Sequence, residues 1–188
     1  DIQQQVETAF KEREISVANC DASLEEEAAF DNFVNMTFTR LDQRRGASEL
    51  VKTTLEKSLF SSPAACLDTI RNRIRRLQNE EDLACEKDIK SLEGLAGSIQ
   101  KITVQNFSKY QRLLEVIQKE EHGLGWTGKD KHDRLVIFTE RIETLRFLQE
   151  NLPHDLGLKD NQIEILHGTM SDVDQQKVVE DFGKEEVP

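Results

Sequence analysis

Arg134-Leu-Val-Ile-Phe-Thr-Glu140 and Ile163-Glu-Ile-Leu-His-Gly168 are the two stretches whose reading decides the fold. Leu135-Val-Ile-Phe138 is an unbroken apolar run. It has no in–out alternation, as expected of a strand covered on both faces in a parallel sheet. Ile163-Glu-Ile-Leu166 is a second short run of that kind. Between the two, Ile142, Leu145, Leu148 and Leu152 recur at helical spacing. After them, Ser171 with Asp174 predicts a helix start, and Val178, Val179 and Phe182 give that helix an apolar side. The order predicts β-α-β-α with right-handed crossovers, ending where a third strand is due. Ligands of such folds sit at the carboxyl ends of the strands. Those ends are Thr139-Glu140-Arg141 and His167-Gly168-Thr169.

Outward from this unit, residues 1–104 read as helices nearly throughout. Leu67, Ile70, Ile74 and Leu77 form one seam, with Ser62 as N-cap and Pro63 in the first turn, where its missing N–H costs nothing. Ile89, Leu92, Ala96 and Ile99 form another, weakened by Gly94 and Gly97. Ser23 and Glu26 have capping-box spacing ahead of Ala29, Phe30, Phe33 and Val34. Such short seams pack as a small bundle. A further helix is predicted over residues 109–121, with Ser108 and Gln111 as its capping box. The expected fold is therefore mainly α with a partial α/β unit. Residues 1–104 form a helical bundle, 105–133 a helix and glycine-rich connector, and 134–188 an incomplete parallel β-α-β-α segment.

Composition narrows the function classes. The 188 residues carry a net charge of −11. That argues against a general nucleic-acid binder, because phosphate binding needs a positive surface, although a local basic strip remains compatible. Charged residues make up 32% and the mean hydropathy is −0.60, which suits helices with large solvated faces. No run of about 18 apolar residues is present, so no membrane span is expected. The start, Asp1-Ile-Gln-Gln-Gln, lacks the basic and apolar regions of a signal peptide, and lacks an initiator Met, as an internal segment would. Cys20, Cys66 and Cys85 are widely spaced with no C-x-x-C, which predicts unpaired thiols in a reducing cytoplasm. His122, His132, His154 and His167 show no metal spacing.

Gly123-Leu-Gly-Trp-Thr-Gly128-Lys129-Asp130 comes close to a phosphate-binding loop, G-x-x-x-x-G-K-[ST]. The context is reversed: a helix precedes it and a strand follows. Asp130 also replaces the hydroxyl that would reach Mg²⁺. It reads as a connector.

Residues 109–182 resemble the first half of the C-terminal RecA-like domain of superfamily 2 helicases and translocases, especially the Swi/Snf-type branch and its bacterial relatives. The matching pieces are Lys109 with Leu113-Leu114, Val136-Ile-Phe-Thr-Glu140, Leu166-His-Gly168, and Ser171-Asp-x-Asp-Gln-Gln-Lys177 followed by Phe182. Lys177 stands where an Arg is usual. More loosely, residues 1–104 resemble the helical insertion between the two lobes, closest at Leu59-Phe-Ser-Ser-Pro-Ala64.

The resemblance implies a parent that is an ATP-driven DNA translocase, with ATP and Mg²⁺ held between lobes. Neither first-lobe motif occurs here, and the later arginine-bearing motif would follow Pro188. The chain alone is thus expected to be inactive, with no catalytic residues, cofactor or metal of its own. Its implied partners are DNA and the N-terminal RecA-like lobe. The implied nucleic-acid contacts are Thr139, Arg141, His167, Gly168 and Thr169. The plainer readings are that Thr139 caps a helix and that His167-Gly168 is a turn. Arg71 and Arg75, near Arg73 and Arg76 and with Arg40, Arg44 and Arg45, are candidates for a phosphate-tracking strip. Surface pairing with Glu80 and Glu81 is the preferred alternative. A non-catalytic helical interaction module is the competing function. Two strands are too few for a stable sheet, so the unit is expected to pair between chains through its open edges or to lean on the helical region.

Overall fold

The computed structural model describes residues 15–39, 46–79, 83–121, 123–130, 133–159 and 162–184. They form α1 (Leu24–Asn35), α2 (Ala47–Ser61), α3 (Pro63–Leu77), α4 (Leu83–Ile99), α5 (Ser108–Gln118), α6 (Ile142–Leu156) and α7 (Asp172–Gly183). Arg40, Arg44, Arg45, Glu80, Glu81, His122 and His132 lie outside the described residues.

Local chemistry sets several of these helices. At α1, Glu26 N–H donates to the Ser23 hydroxyl and Ser23 N–H donates to the Glu26 carboxylate, closing the capping box. Glu25, Glu26 and Glu27 complement the positive end of its dipole. At α3, the Ser62 hydroxyl accepts from Ala65 N–H at 3.1 Å and Pro63 takes the first position. Ser62 also ends α2, so α2 and α3 meet at a sharp corner.

Helix α3 is the centre of the packing and touches α2, α4 and α6; α1 lies on α4, and α5 on α6. One apolar cluster runs through them, from Phe33 and Leu55 through Ile70 and Leu92 to Tyr110, Ile117 and Leu152. Full burial of a side chain such as Ile70 contributes about 1.5–3 kcal/mol. Polar clamps fix the register of α1 on α4: Asn32 Nδ2 donates to Ser98 Oγ at 2.9 Å. The buried Asp88 of α4 accepts from Thr39 N–H, which pins the chain leaving α1.

The incomplete RecA-like parallel β-α-β-α unit does not form. Among the described residues the elements are helices only, with no strand. Residues 133–139 and 163–167 belong to no helix or strand, and no backbone hydrogen bond joins them. The reason lies in the burial pattern. Leu135, Ile137 and Thr139 turn inward while Val136 (54% exposed) and Phe138 (92% exposed) turn outward. The apolar run is therefore covered on one face by α6 and its neighbours, rather than on two faces within a sheet. Ile163 likewise packs on the core while Leu166 stays exposed. Two short runs without a third partner fall below what sheet formation requires, and α6 takes the inward side chains instead.

The α5 capping box also differs from expectation. Phe107, not Ser108, occupies the N-cap position, and no side chain there caps the helix. Gln111 Nε2 instead donates to Val104 O at 2.8 Å, and Ser108 N–H is taken by the Glu26 carboxylate of α1 at 3.3 Å. One carboxylate thus serves two helix starts.

Candidate functional site

A groove of about 640 Å³ lies between the C-terminal end of α2, α5, the first turns of α6 and residues 137–140. Phe60, Phe107, Tyr110, Leu113, Phe147 and Phe138 make it mostly apolar, and Glu56, Lys57, Lys109 and Glu140 bring charge to it. Phe147 anchors its floor, meeting both Phe107 and Tyr110 edge-on at 5.7 and 5.1 Å between ring centres.

Three hydroxyls meet where the α2–α3 corner touches α6. Thr144 Oγ1 lies 2.9 Å from Ser61 Oγ and 2.7 Å from the buried Ser62 Oγ. Lys109 Nζ donates to Phe60 O at 2.6 Å, covering a carbonyl near the end of α2. The Lys109 ammonium is thus tied to the corner rather than held free for a ligand.

Behind the groove, α5 and α6 are bolted together. Tyr110 Oη donates to Asp155 Oδ2 at 2.7 Å, and Asp155 Oδ1 lies 2.9 Å from His154 Nδ1. The His154 ring and the Tyr110 hydroxyl hold the Asp155 carboxyl below its ordinary range. Burial, and then the neighbouring carboxylate, push the Tyr110 phenol well above its ordinary value. Burial raises the Cys66 thiol to about 11, opposed by its hydrogen bond with Ser58, and the side chain packs fully buried in the core.

The candidates from the sequence are dispersed. Thr139 is half-buried and lines the groove, and Arg141 is the N-cap of α6. That helix start has no side-chain cap; Thr144 N–H donates to Arg141 O at 3.1 Å, and Glu143 brings a negative charge to the first turn. The other junction is different: Thr169 Oγ1 pairs with His167 Nδ1 at 2.9 Å, and Gly168 and Thr169 are exposed. At α7, the Ser171 hydroxyl accepts from Asp174 N–H, and Asp172 and Asp174 fill the first turn. Their negative charge disfavours phosphate there. No hydrogen bond joins residues 139–141 to 167–169 among the described residues. Arg71 and Arg75 are exposed on α3; Arg75 donates to Asn72 at 3.2 Å, and Asn72 to Asp68 at 2.7 Å. This is a surface chain of polar contacts within one helix, away from the groove lining.

Sequence reasoning missed Ser61, Ser62 and Thr144 as a group. They are 83 residues apart at the widest, and only the packing of α3 on α6 brings them together.

The glycine-rich loop does not fit a nucleotide. Leu124, Gly125 and Trp126 N–H groups donate to Val116, Lys119 and Ile117 carbonyls at 2.7, 2.9 and 2.8 Å. These donors close the C-terminal end of α5, so they cannot cradle phosphate oxygens. Among the described residues no three His, Cys, Asp or Glu side chains gather as a metal-ligand set, and no helix is long and apolar enough to cross a membrane.

Comparison with protein-family models, with curated proteins and with solved structures finds no match.

Proposed function

We propose that this chain works as a non-ATP-binding portion of a DNA translocase, giving a helical scaffold and a loop that touches the nucleic-acid backbone. The observation that carries the reading is the junction at residues 139–141. A non-helical run ends there in a half-buried Thr139 and in Arg141, which begins an α6 whose first turn lacks a side-chain cap. A hydroxyl and a guanidinium side by side are the chemistry that meets phosphate oxygens. The resemblance of residues 109–182 to the second lobe of Swi/Snf-type motors supplies the motor context. ATP and Mg²⁺ belong, in this reading, to residues outside this chain. The exposed strip at Arg71 and Arg75 is a secondary contact. A cytoplasmic setting suits three cysteines that form no disulfide.

The test is DNA-dependent ATP hydrolysis by the full product of the gene. Stimulation by double-stranded DNA is expected. Arg141→Ala is expected to weaken DNA binding and to reduce its salt slope by about one. A full product with no DNA-dependent hydrolysis overturns the reading. A second reading, a non-catalytic helical interaction module, is favoured by the apolar groove between α2, α5 and α6. It is the one left standing if hydrolysis is absent and substitution of Phe60 abolishes a protein partner's binding.

A further inference from the structure

The outward side of residues 134–140 is complementary to itself, and we infer that this run pairs antiparallel with the same run of a second copy of the chain. The inference is independent of the motor reading, because it concerns only the surface shown by this chain.

Centred on Ile137, such a pairing sets Arg134 opposite Glu140 of the second copy, Val136 opposite Phe138, Leu135 opposite Thr139, and Ile137 opposite itself. Arg134, Val136, Phe138 and Glu140 then share one face, since side chains alternate along an extended chain. The outward row becomes Arg–Glu, Val–Phe, Phe–Val, Glu–Arg. Opposite charges close both ends, and the two middle places are aromatic–β-branched pairs, the kind that stabilises neighbouring strands. The relation is two-fold, as an isologous dimer requires.

Three observations show that the run is open to this partner. Residues 134–140 make no backbone–backbone hydrogen bond among the described residues. Val136 is 54% and Phe138 92% exposed, an apolar pair facing largely outward. The run contains no Lys or Pro, the residues that guard free edges. Residues 137–140 also line the groove. Arg134 gives one guanidinium nitrogen to Lys184 O at 2.6 Å and lies 5.6 Å from the centre of the Phe182 ring. The remaining donors of its fork can still meet a carboxylate.

The test is sedimentation velocity of this chain over a concentration series, with amide-I infrared spectra of the same samples. A reversible dimer is expected, with β absorption that grows as it forms. Glu140→Arg sets like charges opposite each other at both ends and is expected to raise the dimer Kd roughly tenfold. Arg134→Glu is expected to do the same, and the doubly exchanged chain to recover. Phe138→Lys replaces a side chain that is 92% exposed at the edge of the groove, so helicity by circular dichroism is expected to be unchanged while dimerisation is lost. A chain that stays monomeric throughout, or a dimer indifferent to Glu140→Arg and Phe138→Lys, overturns the inference. A monomer that gains β absorption only with an added apolar peptide also overturns it, and gives the surface to a foreign strand.

Discussion

Tyr110 of α5 and Asp155 of α6 are joined by a 2.7 Å hydrogen bond across the helix pair behind the groove. Tyr110 is 1% exposed and is the sole tyrosine of the chain. Its phenol is raised and the Asp155 carboxyl lowered, so this contact couples folding to pH at both ends of the scale.

At the alkaline end, the raised phenol favours the folded state fully below the ordinary tyrosine value of about 10. That advantage is lost as pH rises from there towards the folded value. Ultraviolet difference spectroscopy is expected to show tyrosinate only together with loss of helical dichroism. Tyrosinate forming near pH 10 in a chain that keeps its helices would show that the contact does not hold.

At the acid end, the lowered Asp155 favours the folded state above the ordinary value of about 3.9. The advantage disappears as pH falls through the folded value. Asp155→Asn is expected to flatten the acid side of the melting-temperature profile. Tyr110→Phe is expected to cost about 1 kcal/mol in urea unfolding at neutral pH. An unchanged acid slope in Asp155→Asn would assign the acid sensitivity to other carboxylates.

Thr144→Val keeps the shape of the side chain but removes the hydroxyl between Ser61 and Ser62. The loss is expected to be about 1–2 kcal/mol, because Ser62 is buried but keeps its cap on Ala65 N–H. Chemical denaturation measures it. No change would mean that solvent reaches the corner.

Gly123→Ala brings a Cβ to 2.3 Å from Lys119 O and 2.8 Å from Val116 O. Neither carbonyl can retreat without opening the end of α5. The variant is expected to lose about 1–3 kcal/mol and to shift the emission of Trp126, the single tryptophan. An unaltered spectrum would show that the loop adapts.

Ile70→Ala is expected to cost about 2–5 kcal/mol, since Ile70 is buried on a helix that packs against α2, α4 and α6. Leu50→Ala, on the exposed side of α2, is expected to stay within about 0.5 kcal/mol. Equal melting temperatures for the two variants would remove α3 from the centre of the core.

Helix starts were readable where the chemistry is local. Ser23 with Glu26, Ser62 with Pro63, and Ser171 with Asp174 need only neighbours three residues away or fewer. The start of α5 was not readable, because its donor goes to Glu26, 82 residues back. The apolar run at 135–138 misled for a related reason. A run of that length suits a two-sided strand or a one-sided extended segment equally, and only the number of available partners decides. Of the residues the sequence singled out, Thr139 lines the groove and Arg141 is the N-cap of α6. The hydroxyl cluster depends on a helix crossing that no spacing encodes.

Helix α7 has no buried residue, and its terminus is tied down through Arg134 at Lys184 O and Phe182. Its amide protons should therefore exchange with solvent on a much shorter clock than those of α3. The chain has two timescales of opening, one for a helix hinged at its end and one for the core. Any ligand that engages α7 meets a segment whose release does not require the rest to unfold.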